Sequence, residues 1–184
     1  MSWRTAAALV LMLGACTSGP SGSPAASSVD LGDGLAARRW GDGPYGVVLI
    51  GTPLDLAGPI AQGRMSVLVP EATTPEAVEA AIGWLRQEAG LDRVAVVAGP
   101  DATNAALAVG RESPELVDQL IAIDAEGATD SLGPFPKLFI ASQTDVSVAQ
   151  QLADDAPGDW NEAASAPDEA ELLALILDRL DERR

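Results

Sequence analysis

The sequence contains no histidine, one cysteine and one lysine among its 184 residues. Without histidine, the chain cannot use an imidazole as a general base and lacks the usual ligands of a zinc site. One cysteine cannot form a disulfide within the chain, so packing must stabilise the fold. Aromatic residues make up only 4% of the sequence, against 47% hydrophobic residues overall, which predicts a core of Ala, Val, Leu and Ile.

Basic residues are also scarce. The chain has 11 Lys and Arg against 27 Asp and Glu, which gives a net charge of -16. This charge argues against nucleic acid or anionic lipid headgroups as partners and favours a soluble surface. We expect no cofactor and no metal. The acid-rich stretch Asp154-Asp155-Ala-Pro-Gly-Asp159 lacks the spacing of an EF-hand loop, and we interpret it as a solvated loop.

The first sixteen residues resemble a bacterial lipoprotein signal. Arg4 precedes an apolar run at residues 6–13, which is too short to span a bilayer, and small residues lead to Cys16 in Leu13-Gly14-Ala15-Cys16. The resemblance implies cleavage before Cys16, a lipid on its sulfur and a location on the outer face of the bacterial cell membrane. The alternative is an ordinary signal peptide with an incidental cysteine.

Three segments follow from this interpretation. Residues 1–15 form the signal peptide, residues 16–28 form a flexible tether of small residues, Ser and Pro, and residues 29–184 form one domain. Loss of the leader removes Arg4 and no acid, which changes the net charge from -16 to -17. The lipid, and not the charge of the protein, would therefore hold it at the membrane.

The pattern of apolar runs predicts an α/β fold. Residues 29–31 and 35–40 flank Gly32-Asp33-Gly34, which favours an antiparallel hairpin. Short, uniformly apolar runs typical of buried strands lie at residues 45–50, 65–69, 93–98, 120–123 and 137–141. Helices are predicted at 75–89, capped by Thr73, and at 168–180, capped by Ser165, whereas residues 51–63 have room for little helix. We expect a mostly parallel, twisted sheet with helices on both faces.

The strand at 93–98 leads into a turn with an acid at its apex. Gly99 begins the turn, Asp101 stands at its apex, Thr103 follows, and the next residues are small and typical of a helix. This outline matches a nucleophile elbow, whose pattern is Gly-x-Ser-x-Gly. Here Asp101 takes the position of the serine and Thr103 that of the second glycine.

The order of these motifs resembles the α/β-hydrolase family in its small, cap-less, dienelactone-hydrolase-like form. The resemblance implies a nucleophile position at Asp101, an acid position at Asp145 beyond the strand at 137–141, and a histidine position within residues 159–166. That last segment contains no histidine. The oxyanion loop would be Gly51-Thr52-Pro53, in which Pro53 has no backbone N–H to donate.

Each candidate residue also has a structural interpretation. Asp101 is an ordinary turn acid, and Asp145 caps the helix that begins near Val146. Lys137, the base that a Ser-Lys dyad would need, instead starts or edges a strand. Glu162 is the one carboxylate whose position in the sequence suggests a substitute for the missing base.

The sequence therefore predicts a hydrolase-like domain without catalysis, acting as a binding or scaffold module at the cell envelope. Its pocket is expected at the carboxyl ends of the strands, near Asp101 and Thr52. A partner would be an envelope protein, a cell-wall component or a small molecule. The alternative is a functioning ester hydrolase with Asp101 as a carboxylate nucleophile. A third reading is an evolutionary remnant with no ligand.

Overall fold

Eight strands form one sheet in the computed structural model, which describes residues 25–143 and 145–182. The strand order is β1-β2-β4-β3-β5-β6-β7-β8. The pairs β1–β2 and β2–β4 are antiparallel, and all other neighbours are parallel. The strands are β1 (Ser27–Gly32), β2 (Leu35–Trp40), β3 (Tyr45–Ile50), β4 (Met65–Pro70), β5 (Val94–Ala98), β6 (Gln119–Ile123), β7 (Lys137–Ala141) and β8 (Asn161–Ser165).

Five α-helices connect or follow the strands in the described part of the chain. They are α1 (Ala57–Gln62), α2 (Pro75–Gln87), α3 (Thr103–Glu112), α4 (Ser147–Asp155) and α5 (Glu169–Asp181). The six-residue length of α1 confirms that residues 51–63 have room for little helix. The predicted hairpin, the five buried strands and the mostly parallel sheet are likewise confirmed.

Two apolar clusters cover the two faces of the sheet. One includes Ile82 and Leu85 of α2, Leu107 of α3 and Phe139 of β7. The other includes Ile60 of α1 together with Ile176 and Leu180 of α5. Val47, Val48 and Leu49 of β3 are completely buried because successive side chains face opposite clusters. This arrangement confirms the prediction of a sheet with helices on both faces.

Strand β8 was not predicted. Its sequence, Asn161-Glu-Ala-Ala-Ser165, has neither the β-branched nor the large apolar residues that indicate a strand. It forms because β7 offers a free edge, and backbone hydrogen bonds extend the pairing at both ends, from Lys137 N to Trp160 O (3.1 Å) and from Ala166 N to Ala141 O (2.9 Å). Pairing with β7, and not the local sequence, therefore determines that these residues form a strand.

Both predicted helix caps are wrong, the first by one residue and the second by three. Thr74, and not Thr73, caps α2 by accepting a hydrogen bond from the backbone N–H of Ala77 (3.3 Å). Asp168, and not Ser165, caps α5 by accepting from Glu171 N (2.9 Å). Ser165 is the last residue of β8, so its backbone is committed to the sheet.

The predicted signal peptide, Cys16 and most of the tether lie outside the described residues. β1 begins at Ser27, so Ser27 and Ser28, which were assigned to the tether, pair with Arg39 and Arg38 of β2. In the described ranges, no helix is long and apolar enough to cross a membrane.

Candidate active site

Asp101 lies on a relaxed turn. β5 leads through Gly99 into a 3-10 turn at Pro100–Ala102 and then into α3, so the predicted strand, turn and helix occur in the expected order. The side chain of Asp101 is exposed. A nucleophile elbow holds its apex residue in a strained conformation. The described non-glycine residues with a positive φ are Asp33, Arg64 and Asp124, so Asp101 is not held in that way.

The turn also uses the N–H group that would bind an oxyanion. In α/β hydrolases that group belongs to the residue after the nucleophile, which here is Ala102. The N–H of Ala102 donates to the carbonyl oxygen of Gly99 at 2.9 Å. The second donor would come from the loop after β3, where Pro53 has no N–H. Of the two expected donors, the N–H of Ala102 is therefore already bonded within the turn, and Pro53 offers none.

The loop after β3 packs directly against this turn. Gly51 has a φ of +62°, and a Cβ placed on it would lie 2.5 Å from Cβ of Ala102. A Cβ on Gly99 would overlap the carbonyl oxygen of Gly51, and Gly99 N donates to Ile50 O at 2.8 Å. The loop after β3 and the turn after β5 are therefore in direct backbone contact.

Thr103 stabilises the same closed turn. It is buried, and its hydroxyl donates to the carbonyl oxygen of Pro100 at 3.3 Å. The second glycine of an elbow allows the helix and strand to approach closely, whereas the threonine adds a side chain that hydrogen-bonds within the turn. Gly99, Asp101 and Thr103 thus lie together as predicted, in a geometry suited to a connecting turn.

Asp145 lies one residue before the N-cap of α4, Val146, and bonds to the first turn of the helix, close to the N-cap role that its structural interpretation predicted. Its Oδ1 accepts from the backbone N–H of Ser147, the first residue of α4, at 2.9 Å. Hydrogen bonds from the backbone and side chain of Ser147 hold the pKa of Asp145 below its ordinary value. Asp145 also lines a cleft of about 390 Å³ at the carboxyl ends of β6 and β7, together with Phe139, Leu152 and Val148.

Asp124 is a residue of this cleft that sequence reasoning missed. It follows β6 directly, has a φ of +48°, and accepts from Ser142 N at 2.7 Å, which ties together the loops after β6 and β7. Non-glycine residues adopt this conformation at a cost, and Asp is among those that tolerate it best. An acid immediately after the apolar run at 120–123 was the signal available in the sequence.

Strand β8 occupies most of the segment in which the resemblance placed a histidine. Residues 161–165 are strand β8, so the loop after the last strand is residues 166–168, Ala-Pro-Asp. Glu162, the candidate substitute base, lies within β8 and pairs with Arg179 at 2.8 Å. It is three strands from β5, or about 14 Å at ordinary strand spacing. The geometry therefore does not favour Glu162 as a base for Asp101.

A second cleft lies near Thr52. Its volume is about 330 Å³, and its lining includes Arg38, Thr52 and Glu71 but not Asp101. The hydroxyl group of Thr52 is buried and neither donates nor accepts a hydrogen bond within the described structure. The pocket expected near both Asp101 and Thr52 is thus displaced towards β2 and β4.

Lys137 begins β7 and is fully buried, in agreement with its predicted place at a strand start. β7 lies inside the sheet, so Lys137 is not on an edge. Its ammonium group donates to the carbonyl oxygens of Phe135 (2.7 Å) and Pro157 (2.6 Å). These hydrogen bonds do not place it as the base of a Ser-Lys dyad. Over residues 25–143 and 145–182, acids do not gather into a metal-binding group of three.

Solved structures with the same fold are α/β hydrolases. A dienelactone hydrolase from Anabaena variabilis superposes with a TM-score of 0.65 and 16% identity over 87% of this chain and 96% of that one. A cold-adapted esterase from an Arctic intertidal metagenomic library gives 0.63 and 13%, over 86% and 92%. An α/β-hydrolase-fold protein of unknown function gives 0.68 and 12%, over 87% and 96%. No protein-family model matches the sequence, and no curated protein matches it.

Proposed function

We propose that this chain, which has the α/β-hydrolase fold, is an exported, lipid-anchored protein without hydrolase activity that serves as a binding or scaffold module at the cell envelope. The observation that carries the proposal is the closed turn after β5, where the N–H of Ala102 is bonded to Gly99 O and Gly51 packs against it. Acyl transfer requires that space and that donor for the developing oxyanion.

The other parts of a catalytic site support the same proposal. Asp101 is a carboxylate in a relaxed turn, and the chain has no histidine to activate water or a nucleophile. General-base catalysis contributes about 10²–10⁴-fold, and removal of one oxyanion donor alone costs about 10²–10³-fold. Enzymes that lose their catalytic triad retain residual activity through the oxyanion hole. Here one donor of such a hole, the N–H of Ala102, is already bonded to Gly99 O.

A ligand of this module would bind at the carboxyl ends of the strands, where open α/β sheets place their ligands. The cleft between Asp124 and Asp145 has an apolar wall of Phe139 and Leu152 with carboxylates at its rim. This lining suits a neutral or cationic group joined to an apolar one. Phosphates and carboxylates would be repelled.

The catalytic proposal predicts no ester hydrolysis above background. The test uses residues 16–184 with Cys16→Ser, short-chain and medium-chain activated esters, and the variants Asp101→Ala and Asp101→Ser. We expect all three proteins to be inactive, the serine variant because its base and oxyanion donor are missing. Asp155→Ala, which removes another exposed acid, is the control. Turnover that persists in Asp155→Ala but falls at least about tenfold in Asp101→Ala would refute the proposal and support the carboxylate nucleophile.

Lipid anchoring predicts that a single substitution changes the location of the protein. In cells producing the full chain, Cys16→Ala should abolish incorporation of labelled palmitate. It should also move the protein from the membrane fraction to the released fraction, because the apolar run of the leader is too short to be a stable membrane anchor by itself. The full chain with Asp155→Ala should remain labelled and membrane-bound. Labelling that survives Cys16→Ala would contradict the assignment.

A further inference from the structure

A groove lies between the β1–β2 hairpin and the outer side of α2. Its volume is about 610 Å³, and its lining includes Asp30 and Asp33 of the hairpin and Gly83, Trp84, Gln87 and Glu88 at the end of the helix. β1 is an edge strand four places from β5, and the groove shares no lining residue with the two clefts described above. Neither the fold nor the proposed loss of catalysis accounts for its composition.

Gly83 forms part of the wall of this groove and has no evident role in packing. It lies inside α2, where glycine costs roughly 0.5–1 kcal/mol relative to alanine. A Cβ at this position would meet nothing within 4 Å, and its φ is not positive. Neither close approach nor backbone conformation therefore requires glycine. Because Gly83 has no side chain, open space remains beside Trp84.

Trp84 provides aromatic surface next to that space. It is partly buried against the core, and the guanidinium carbon of Arg39 lies 5.4 Å from the centre of its ring. This contact restrains the indole and already places a cation against it. Asp30 is held at the rim because its Oδ1 accepts from Gly32 N at 2.9 Å. A restrained indole thus shares the groove with Asp33, Gln87 and Glu88.

This combination matches the chemistry of a sugar. The apolar face of a pyranose ring packs on an indole, its hydroxyl groups donate charge-assisted hydrogen bonds to carboxylates, and an amide both donates and accepts. Anionic ligands would be repelled by the acidic lining residues Asp33 and Glu88. An added cation would compete with Arg39 for the ring. We propose that this groove binds a neutral oligosaccharide, with one sugar ring over Gly83 against Trp84.

The test uses a substitution in α2, Gly83→Gln, that fills the groove without weakening the helix. Residues 16–184 with Cys16→Ser are titrated by calorimetry with two neutral probes, chitotetraose and cellotetraose, and with tetralysine. We expect at least one neutral probe to bind. Gly83→Gln should lower that affinity at least about tenfold while raising the midpoint of thermal unfolding, because glutamine is the better helix former. Loss of binding then cannot be attributed to loss of the fold.

Two further variants identify the binding surface. Ala170→Gln adds the same side chain to an exposed position on α5 and should leave binding unchanged. Trp84→Phe keeps an aromatic ring and should weaken binding less than Gly83→Gln does. No binding of either neutral probe at millimolar concentration would overturn the proposal. So would binding that is unchanged in Gly83→Gln, or binding of tetralysine alone.

Discussion

Gly99→Ala is expected to destabilise the protein by about 3 kcal/mol or more. A Cβ at this position would overlap the carbonyl oxygen of Gly51 and lie 2.6 Å from its carbonyl carbon, and both are backbone atoms that cannot rotate away. Overpacking of a well-packed interior typically costs about 1–3 kcal/mol, and a clash between two backbones belongs at the upper end. Urea unfolding of residues 16–184 with Cys16→Ser measures the effect.

Gly83→Ala is the matched control for this substitution. The same methyl group is added inside α2, where no atom lies within 4 Å, so the variant should be roughly 0.5–1 kcal/mol more stable than the parent. Opposite signs at the two glycines would confirm that the contact between the β3 loop and the β5 turn is tight. A loss below about 1 kcal/mol in Gly99→Ala would show that the turn has room to open, and it would weaken the case for an inactive site.

The stability of the protein should rise as the pH increases from about 8 to about 10. Burial lowers the pKa of Lys137 from 10.5 to about 8, and its ammonium donates to carbonyl oxygens without a carboxylate to pair with. Above pH 8 the folded state releases this proton while the unfolded chain keeps it. The unfolded state then binds more protons, so the free energy of unfolding increases with pH, by about 2 kcal/mol in this range.

The composition of the chain leaves few other groups that titrate between pH 8 and pH 10. There is no histidine, Lys137 is the only lysine, and Cys16 is replaced, so the other residue types that titrate near this range are represented by one tyrosine and the terminal amine. Denaturant unfolding at a series of pH values should give a rising curve for the parent and a flat one for Lys137→Met. A parent curve that is flat or falling would show that the ammonium of Lys137 is not penalised by burial.

Regular elements with strong local signals could be predicted from the sequence. The run Val94 to Ala98 is uniformly apolar, and the helical spacing of apolar residues after Pro75 indicates α2. β8 could not be predicted, because the residues from Asn161 to Ser165 are in a strand only as a consequence of pairing with β7. The caps were misplaced for a similar reason. Thr73 and Thr74 are chemically identical, and the exact path of the loop decides which one reaches Ala77.

The order of strand, turn and helix around Asp101 could be predicted from the sequence, but the contacts within and beside that turn could not. The absence of histidine and the acid at Asp101 indicated a loss of catalysis. The sequence did not show that Ala102 N is bonded to Gly99 O or that Gly51 fills the space beside it. Both contacts depend on how the loop after β3 meets the turn after β5. These segments are neighbours only because β3 and β5 pair in the sheet.

Composition and local pattern by themselves determined the α/β class, the aliphatic core, the N-terminal hairpin and the lack of an imidazole. These properties follow from residue types and their periodicity, which are present in the chain before it folds. The tertiary structure decided which backbone groups are already hydrogen-bonded, which clefts stay open and which side chains share them. Lys137 shows this difference between what the sequence determines and what the tertiary structure decides. The sequence shows one lysine at the start of a strand, and only the packing of β8 and its preceding loop around it makes that ammonium buried and its pKa low.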